Sequence, residues 1–544
     1  MATRRSRGRL TAAVVVAVLA GLVLASCGAP TETPVGEATE MPTEEVTQEP
    51  AEGDETAVPE ETPAAERQGT LRVSAFPIAQ TDPAQISSDA EVLIANHVYD
   101  YLVDVNAENE IVPRLATEWT RSDDGLTYEF TLAEGVEFHD GTPFTADDVV
   151  HTFQRLRDTE GLPTADLYSN ITNIEATGEL AVTFTLSDTN PFFLYDLSDN
   201  HALIVKDGTE DASADGGEGF NGTGPFVVQD YEPGNRMVLE ANEDYFVEGQ
   251  PHLAGLEIIF FNEQSASADA LRGGQIDLTM DLSTPLYESL RQRDDLIAQD
   301  IATNQFANVR LRVDQPPGDD PRVVQALKLA TNREDIFQLV QQGYGAVGRD
   351  SPIGPLFSDY YTEETPMPER DPERAAELLA EAGYPDGLDL ELVLLDTLNF
   401  PDLAAVLKQQ WSEAGINVEV NTVPESVFYG EGQWLDVNLG IVGWGHRPYP
   451  QFYLDVMLAC DAKWNATRFC DEELDELIET AGTTLDEQER VDAYHEIQRI
   501  LIERGPIIVP YFFAEYGVIS DRFEGFEIKA FSGRTDFRQI RLAE

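Results

Sequence analysis

After residue 70 the hydrophobic positions switch repeatedly between a period of two and a period near 3.6, which predicts strands and amphipathic helices in alternation. Leu71 to Phe76 reads as a strand. Ser88, with Glu91 three residues on, makes a capping box for a helix to about Leu102, with Val92, Ala95, Val98, Tyr99 and Leu102 on one face. Leu126 to Leu132 alternates as a strand after the Asp124-Gly125 turn, and Thr145 with Asp148 opens a helix holding Val149, Val150, Phe153 and Leu156. Asp371-Pro372 starts a helix that closes at Gly383, matching an N-cap, a first-turn proline and a glycine past the last turn. Strand Leu388 to Leu395, helix Asp402 to Ala414 and strand Ile416 to Val420 form a βαβ unit. Thr484 and Glu487 box a long helix to Arg504, stopped by Gly505-Pro506. The pattern predicts an α/β protein with no internal repeat and no second membrane-spanning segment.

Ahead of this body the pattern breaks. Arg4, Arg5, Arg7 and Arg9 precede an uncharged apolar run from Leu10 to Leu24. That is the layout of an export signal, and the run falls short of the ~20 residues that span a bilayer. Leu24-Ala25-Ser26-Cys27 resembles the lipobox of bacterial lipoproteins, which implies cleavage before Cys27 and lipid on its sulfur and amine. An ordinary secretory signal or an uncleaved anchor helix is the alternative, and Arg4-Arg5 leaves twin-arginine export open. Residues 28–66 are almost wholly Pro, Thr, Glu, Ala and Gly, with twelve acidic residues and no aromatic, Lys or Arg. Such a segment cannot offset its ordering entropy and is expected to be a disordered tether, with a reach of roughly 35 Å. Anchor, tether and body describe a protein held at the extracellular face of the cell membrane, or the periplasmic side where an outer membrane exists.

The net charge of −65 divides as +4 in residues 1–27, −12 in residues 28–66 and −57 in the remaining 478 residues. A body this acidic repels nucleic acid. Positive charge is nearly all arginine, with Lys only at 206, 328, 408, 463 and 529. Acid-rich, lysine-poor surfaces suit concentrated salt, where screening is short-ranged, so the composition predicts a salt-adapted source or a generally acidic proteome. Beyond Cys27 the only cysteines are Cys460 and Cys470, ten apart beside Asp461 and Asn465. In an oxidising exterior they are expected to form a disulfide closing a surface loop.

Enzyme constellations are missing from the sequence. There is no Gly-x-Ser-x-Gly elbow, no Walker loop and no Gly-x-Gly-x-x-Gly after a strand. His495-Glu496 lacks the second histidine of a zincin. His139 in Phe138-His139-Asp140-Gly141 reads as a turn histidine bonded to backbone. No metal or cofactor is expected.

Trp119-Thr120-Arg121-Ser122-Asp123-Asp124-Gly125-Leu126-Thr127-Tyr128, continued by Phe138 to Val149, resembles the signature block of the family 5 extracellular solute-binding proteins. These are the oligopeptide, dipeptide and nickel binders that serve ABC importers. Asn221 to Phe226, Ala241 to Phe246, Pro321 to Leu327 and Trp444-Gly445 continue the resemblance in family order. It implies a periplasmic-binding-protein-like fold of type II, in which two hinged lobes and an extra subdomain close on a solute. On that pattern residues 67–103, 191–308 and 508–544 make lobe Ia, 104–190 subdomain Ib and 309–507 lobe II. The implied partners are a peptide or small-molecule ligand and ABC permease subunits, with the membrane reached only through the lipid and the protein a monomer. A secreted lipoprotein hydrolase or a structural surface protein is the rival reading. Gly222, Gly224, Pro225 and the Asp140-Gly141 turn are expected to be scaffold.

One departure bears on the ligand. Peptide-binding members follow the Trp-Gly pair with a small residue, Asp and Tyr, and that Asp pairs with the peptide's α-ammonium. Here Trp444-Gly445 is followed by His446-Arg447-Pro448-Tyr449. Two like charges about 4 Å apart at an effective dielectric of 20 repel by roughly 4 kcal/mol, so an α-ammonium is not expected beside Arg447. Trp444, Gly445, His446, Arg447 and Tyr449 are the expected ligand residues, with Trp444 a stacking wall and Arg447 a fork for an anionic, sugar-like or otherwise non-peptide solute. A slip of the alignment would make Arg447 an ordinary surface residue.

Overall fold

The computed structural model describes residues 67–544, apart from 163, 215, 216, 218, 431 and 432. Cys27, the export segment and the tether lie outside the described residues. A twelve-stranded sheet runs through the body. From one edge its path is Ile416–Val423, Leu388–Leu395, Leu439–Trp444, Leu296–Leu311, Tyr511–Ser520, Leu278–Thr279, Thr70–Ala75, Gly255–Phe260, Arg236–Ala241 and Phe226–Glu232. Leu388–Leu395 and Ile416–Val423 pair in parallel across helix Phe400–Ser412, which is the predicted βαβ unit.

The strand Leu296–Leu311, 16 residues long, serves both halves of the sheet. Its first part pairs antiparallel with Tyr511–Ser520, from Leu296↔Ser520 to Ala302↔Ala514. The register shifts between Ala302 and Phe306, and the second part pairs with Leu439–Trp444. Two large cores lie on either side of that shift. One gathers Leu71, Val98, Phe153, Phe226, Ile258 and Phe537; the other gathers Phe306, Leu392, Trp411, Ile441, Tyr453 and Tyr511. Each core makes a lobe, and the two long strands cross between them. A four-stranded antiparallel sheet, in the order Ala116–Arg121, Thr127–Leu132, Ala181–Leu186 and Ile171–Gly178, packs against helix Ala146–Asp158 as an extra subdomain sharing the first core.

The Ser88 capping box is present. The Glu91 carboxylate accepts not only the Ser88 N–H at 3.1 Å but those of Ser87, Ala79 and Gln80 at 2.7, 2.8 and 2.7 Å. Burial alone would raise its pKa, yet these four donors together hold it below the ordinary range. The helix spans Asp89–Val98 and stops short of Leu102. The Val98 carbonyl is taken by the Gly224 N–H at 2.9 Å, and a β-carbon on Gly222 would lie 2.1 Å from that oxygen. Gly222 is therefore needed for a close approach between segments. The last long helix, Glu487–Arg504, is capped by Asp486 rather than Thr484, because Thr484 already terminates helix Glu472–Thr483. Cys460 and Cys470 are disulfide-bonded. His139 does meet backbone, but across space: its Nε2 faces the Gly224 carbonyl at 3.0 Å and its Nδ1 that of Phe220 at 3.3 Å.

Candidate functional site

The loop after Leu439–Trp444 returns to the place where the strands cross. Asn304, inside the register shift, donates its backbone N–H to His446 Nδ1 and its side-chain amide to the Arg447 carbonyl, both at 3.2 Å. Because Nδ1 accepts, the ring proton of neutral His446 sits on Nε2. The ring stacks on Phe531, from the C-terminal segment packed with the first lobe, at 6.2 Å between centroids. Burial, with Arg447 and Arg534 adding repulsion, pushes the His446 pKa down to about 3, so the ring is uncharged at neutral pH.

Arg447 is exposed. Its guanidinium lies over the Phe452 ring at 4.5 Å and donates to the His446 carbonyl at 2.8 Å, and no described carboxylate ion-pairs with it. Its field reaches Asp199 and His201 on the first lobe. Those two residues bond each other at 2.6 Å, and His201 Nε2 faces the Ile86 carbonyl at 2.9 Å, beside the start of helix Asp89–Val98. Arg447 is thus near enough to Asp199 and His201 to act on both electrostatically.

The other expected ligand residues divide. Trp444 is only 9% exposed, and its ring packs on Tyr453 and Trp464 inside the second core. Its Nε1 has no hydrogen-bond partner. Gly445 is exposed and its carbonyl accepts the Tyr453 hydroxyl at 2.7 Å. The Tyr449 ring stacks on Phe192 at 4.8 Å within the second core, and its hydroxyl donates to Asp196 Oδ1 at 2.6 Å. Asn190 donates to the other Asp196 oxygen at 2.7 Å, and burial pushes the Asp196 pKa up to about 7. Next to it, the Asn109 amide donates to the Pro448 carbonyl at 2.5 Å.

Three carboxylates not singled out from the sequence gather beside the crossing of the strands. Asp89 is the first residue of its helix and accepts the Ser532 hydroxyl at 3.2 Å. Glu515 stands on the crossing strand opposite Ile301, and Asp281 follows Leu278–Thr279 by two residues. Asp89 is exposed, and Asp281 and Glu515 are half-buried. Burial, with Asp89 and Asp281 nearby, pushes the Glu515 pKa up to about 8. Burial and Asp89 push Asp281 up to about 7, and burial raises Asp89 itself. No described donor or cation meets Glu515 or Asp281. One hundred acidic residues in the chain hide them from sequence reading.

A second concavity, of about 360 Å³, opens in the first lobe over Asp104, Arg114, Lys529, Asp536 and Arg538. Its charges are already engaged with one another. Among the described residues no group of histidine, cysteine or acidic side chains is placed to hold a metal ion, and no helix is long and apolar enough to cross a membrane.

Residues 110–465 match the family described as bacterial extracellular solute-binding proteins, family 5 middle. The chain is 27% identical over 500 residues to di/tripeptide-binding protein 1 of Pseudomonas aeruginosa, covering 85% of this chain and 92% of that one. It is 26% identical over 470 residues to heme-binding protein A of Haemophilus influenzae, covering 79% and 84%. The solved structure of HbpA2 from Haemophilus parasuis superposes with a TM-score of 0.78 at 24% identity, over 88% of this chain and all of that one.

Proposed function

This chain belongs to family 5 of the bacterial extracellular solute-binding proteins, and from that premise we propose that it is a lipid-anchored receptor which closes two lobes on a solute and hands it to an ABC permease. Members of the family are binding proteins of ABC importers, which sets the hydrolase reading aside. Cys27 carries the anchor, residues 28–66 the tether, and the body works as a monomer outside the cell. The lobes follow the division given above: 67–103, 191–308 and 508–544 against 309–507, with 104–190 as the added subdomain. Two separate cores and two strands crossing between them support two lobes, although Phe192, Phe306 and Tyr511 to Phe513 pack in the second core, which moves those crossings by a few residues from the division given. Closure by bending at the crossing is the expected mechanism.

The observation that carries the ligand reading is Arg447, an unpaired cation at the cleft in a chain with 35 basic and 100 acidic residues. A relative that binds di- and tripeptides and one that binds heme are about equally similar, so the family alone leaves the solute open. In our reading the solute presents an acidic or hydroxyl-rich group to Arg447, and no peptide is held by its α-ammonium at residues 444–449. Native mass spectrometry of protein purified without denaturation identifies the carried solute. Calorimetry with di- to pentapeptides is the direct check. Tight binding that needs a free N-terminus and survives Arg447→Ala overturns the reading.

A further inference from the structure

Resting on the receptor reading and extending it, we propose that the cleft takes a zwitterionic solute in one polarity: its cationic group lies against Asp89, Asp281 and Glu515, and its acidic group against Arg447. The charge order is then the reverse of that in relatives that place an Asp after the Trp-Gly pair.

Two independent features meet here. On one wall, Glu515 and Asp281 are enclosed carboxylates with no described donor or counter-charge. Elsewhere in the chain buried carboxylates are answered from within, as Asp350 is by Arg333 at 2.6 and 3.0 Å. The charged form of such a group is costly without a partner, which holds both toward the protonated state, and a cation arriving from outside the chain would favour the carboxylate form. On the other wall Arg447 ion-pairs with no described carboxylate, although its field reaches Asp199. The two walls are joined by a run of direct contacts: His446 stacks on Phe531, and neighbouring Ser532 bonds Asp89. The His446 ring in that floor is uncharged, so it adds no charge of its own between the two poles.

Chemically, the cationic pole fits an ammonium, a quaternary ammonium or a guanidinium. Arg447 fits a carboxylate or a phosphate by its planar fork. With no described group of side chains placed to hold a metal ion, the positive charge belongs to the solute itself.

The test is calorimetry on the mature protein with glycine betaine and with pools of di- to pentapeptides whose termini are free, N-acetylated or C-amidated. The wild type is expected to lose at least tenfold in affinity when either charge is blocked. Glu515→Gln should weaken the free zwitterion at least tenfold and erase the penalty for N-acetylation, while the penalty for amidation survives. Arg447→Gln should do the converse. Asp281→Asn repeats the first arm should Glu515→Gln not fold, and thermal midpoints matching wild type separate binding loss from unfolding. The peptide and betaine arms tell a primary amine from a quaternary one. Unchanged binding in both carboxylate variants overturns the proposal, as does saturable binding confined to neutral sugars or inorganic phosphate; both leave the receptor reading standing. No saturable binding by any probe, with no solute carried through purification, overturns the receptor reading as well.

Discussion

Asp104 and Glu515 are interior carboxylates of the same acidic body, and they rest in opposite states. Asp104 is 2% exposed and accepts from Arg114 at 2.8 Å and from Arg534, with Lys529 at 3.7 Å. Burial works against its charge, but the three cations outweigh it and hold the carboxyl well below the ordinary range. Arg534 is in turn fixed by the Ser198 carbonyl at 2.6 Å and by the Tyr101 ring at 3.8 Å. Glu515 has the burial without the cations, and its pKa moves up instead of down. The lesson is that depth alone does not mark a functional acid. Depth with compensation marks scaffold, and depth without it marks a place where the protein is incomplete on its own.

Removing one member of the compensated cluster should have the largest effect. Arg534→Met leaves Asp104 short of a partner and should cost on the order of 3–5 kcal/mol in urea denaturation. A loss below about 1 kcal/mol would erase the distinction drawn here.

The next effect is on pH dependence, and its sign differs between the two regions. Glu515 has a folded pKa of about 8, against roughly 4.3 unfolded. The folded state therefore holds more protons across that window, and stability falls as pH rises through it. Asp281, at about 7 folded, acts the same way over a narrower window. Asp104 is depressed, so its contribution is present above its unfolded value and is lost as pH falls through the folded one. Denaturation midpoints from pH 4 to 9 should carry a downward contribution between about pH 4 and pH 8 that Glu515→Gln removes. An equal slope in that variant contradicts the assignment.

Smaller still, Glu515→Gln at pH 8 should raise the thermal midpoint slightly, because it removes a repulsion and breaks no bond. A fall would mean that Glu515 has a partner. At the surface, Arg236 pairs with Glu232 at 3.2 Å in full contact with water. Arg236→Ala should leave the midpoint unchanged within error, which sets the baseline for the other three.

Local chemistry was legible from the sequence where it acts over a few residues. The Ser88 capping box, the βαβ unit and the Cys460–Cys470 pairing depend on neighbours in the chain, and all are present. Helix ends decided by distant contacts were not legible. Val98 is stopped by Gly224, 126 positions on, and Thr484 was misread as a start because it finishes the preceding helix. The loop at 444–449 could be located from its resemblance, but not the direction of each side chain. Trp444 turns inward onto Tyr453, and Tyr449 stacks on Phe192, 257 positions away in the chain. Glu515, Asp281 and Asp89 carried no local signal, since enclosure is a property of the folded chain.

The register shift at residues 303–305 has a consequence for affinity. A ladder interrupted at one point bends most easily there, so the fraction of molecules already closed before any solute arrives is governed by a few residues of strand Leu296–Leu311. Apparent dissociation constants scale inversely with that fraction. If the lobes close by bending there, as proposed, substituting Thr303, whose hydroxyl bonds the Phe513 carbonyl at 3.0 Å, should shift the working concentration range without altering which solute is preferred.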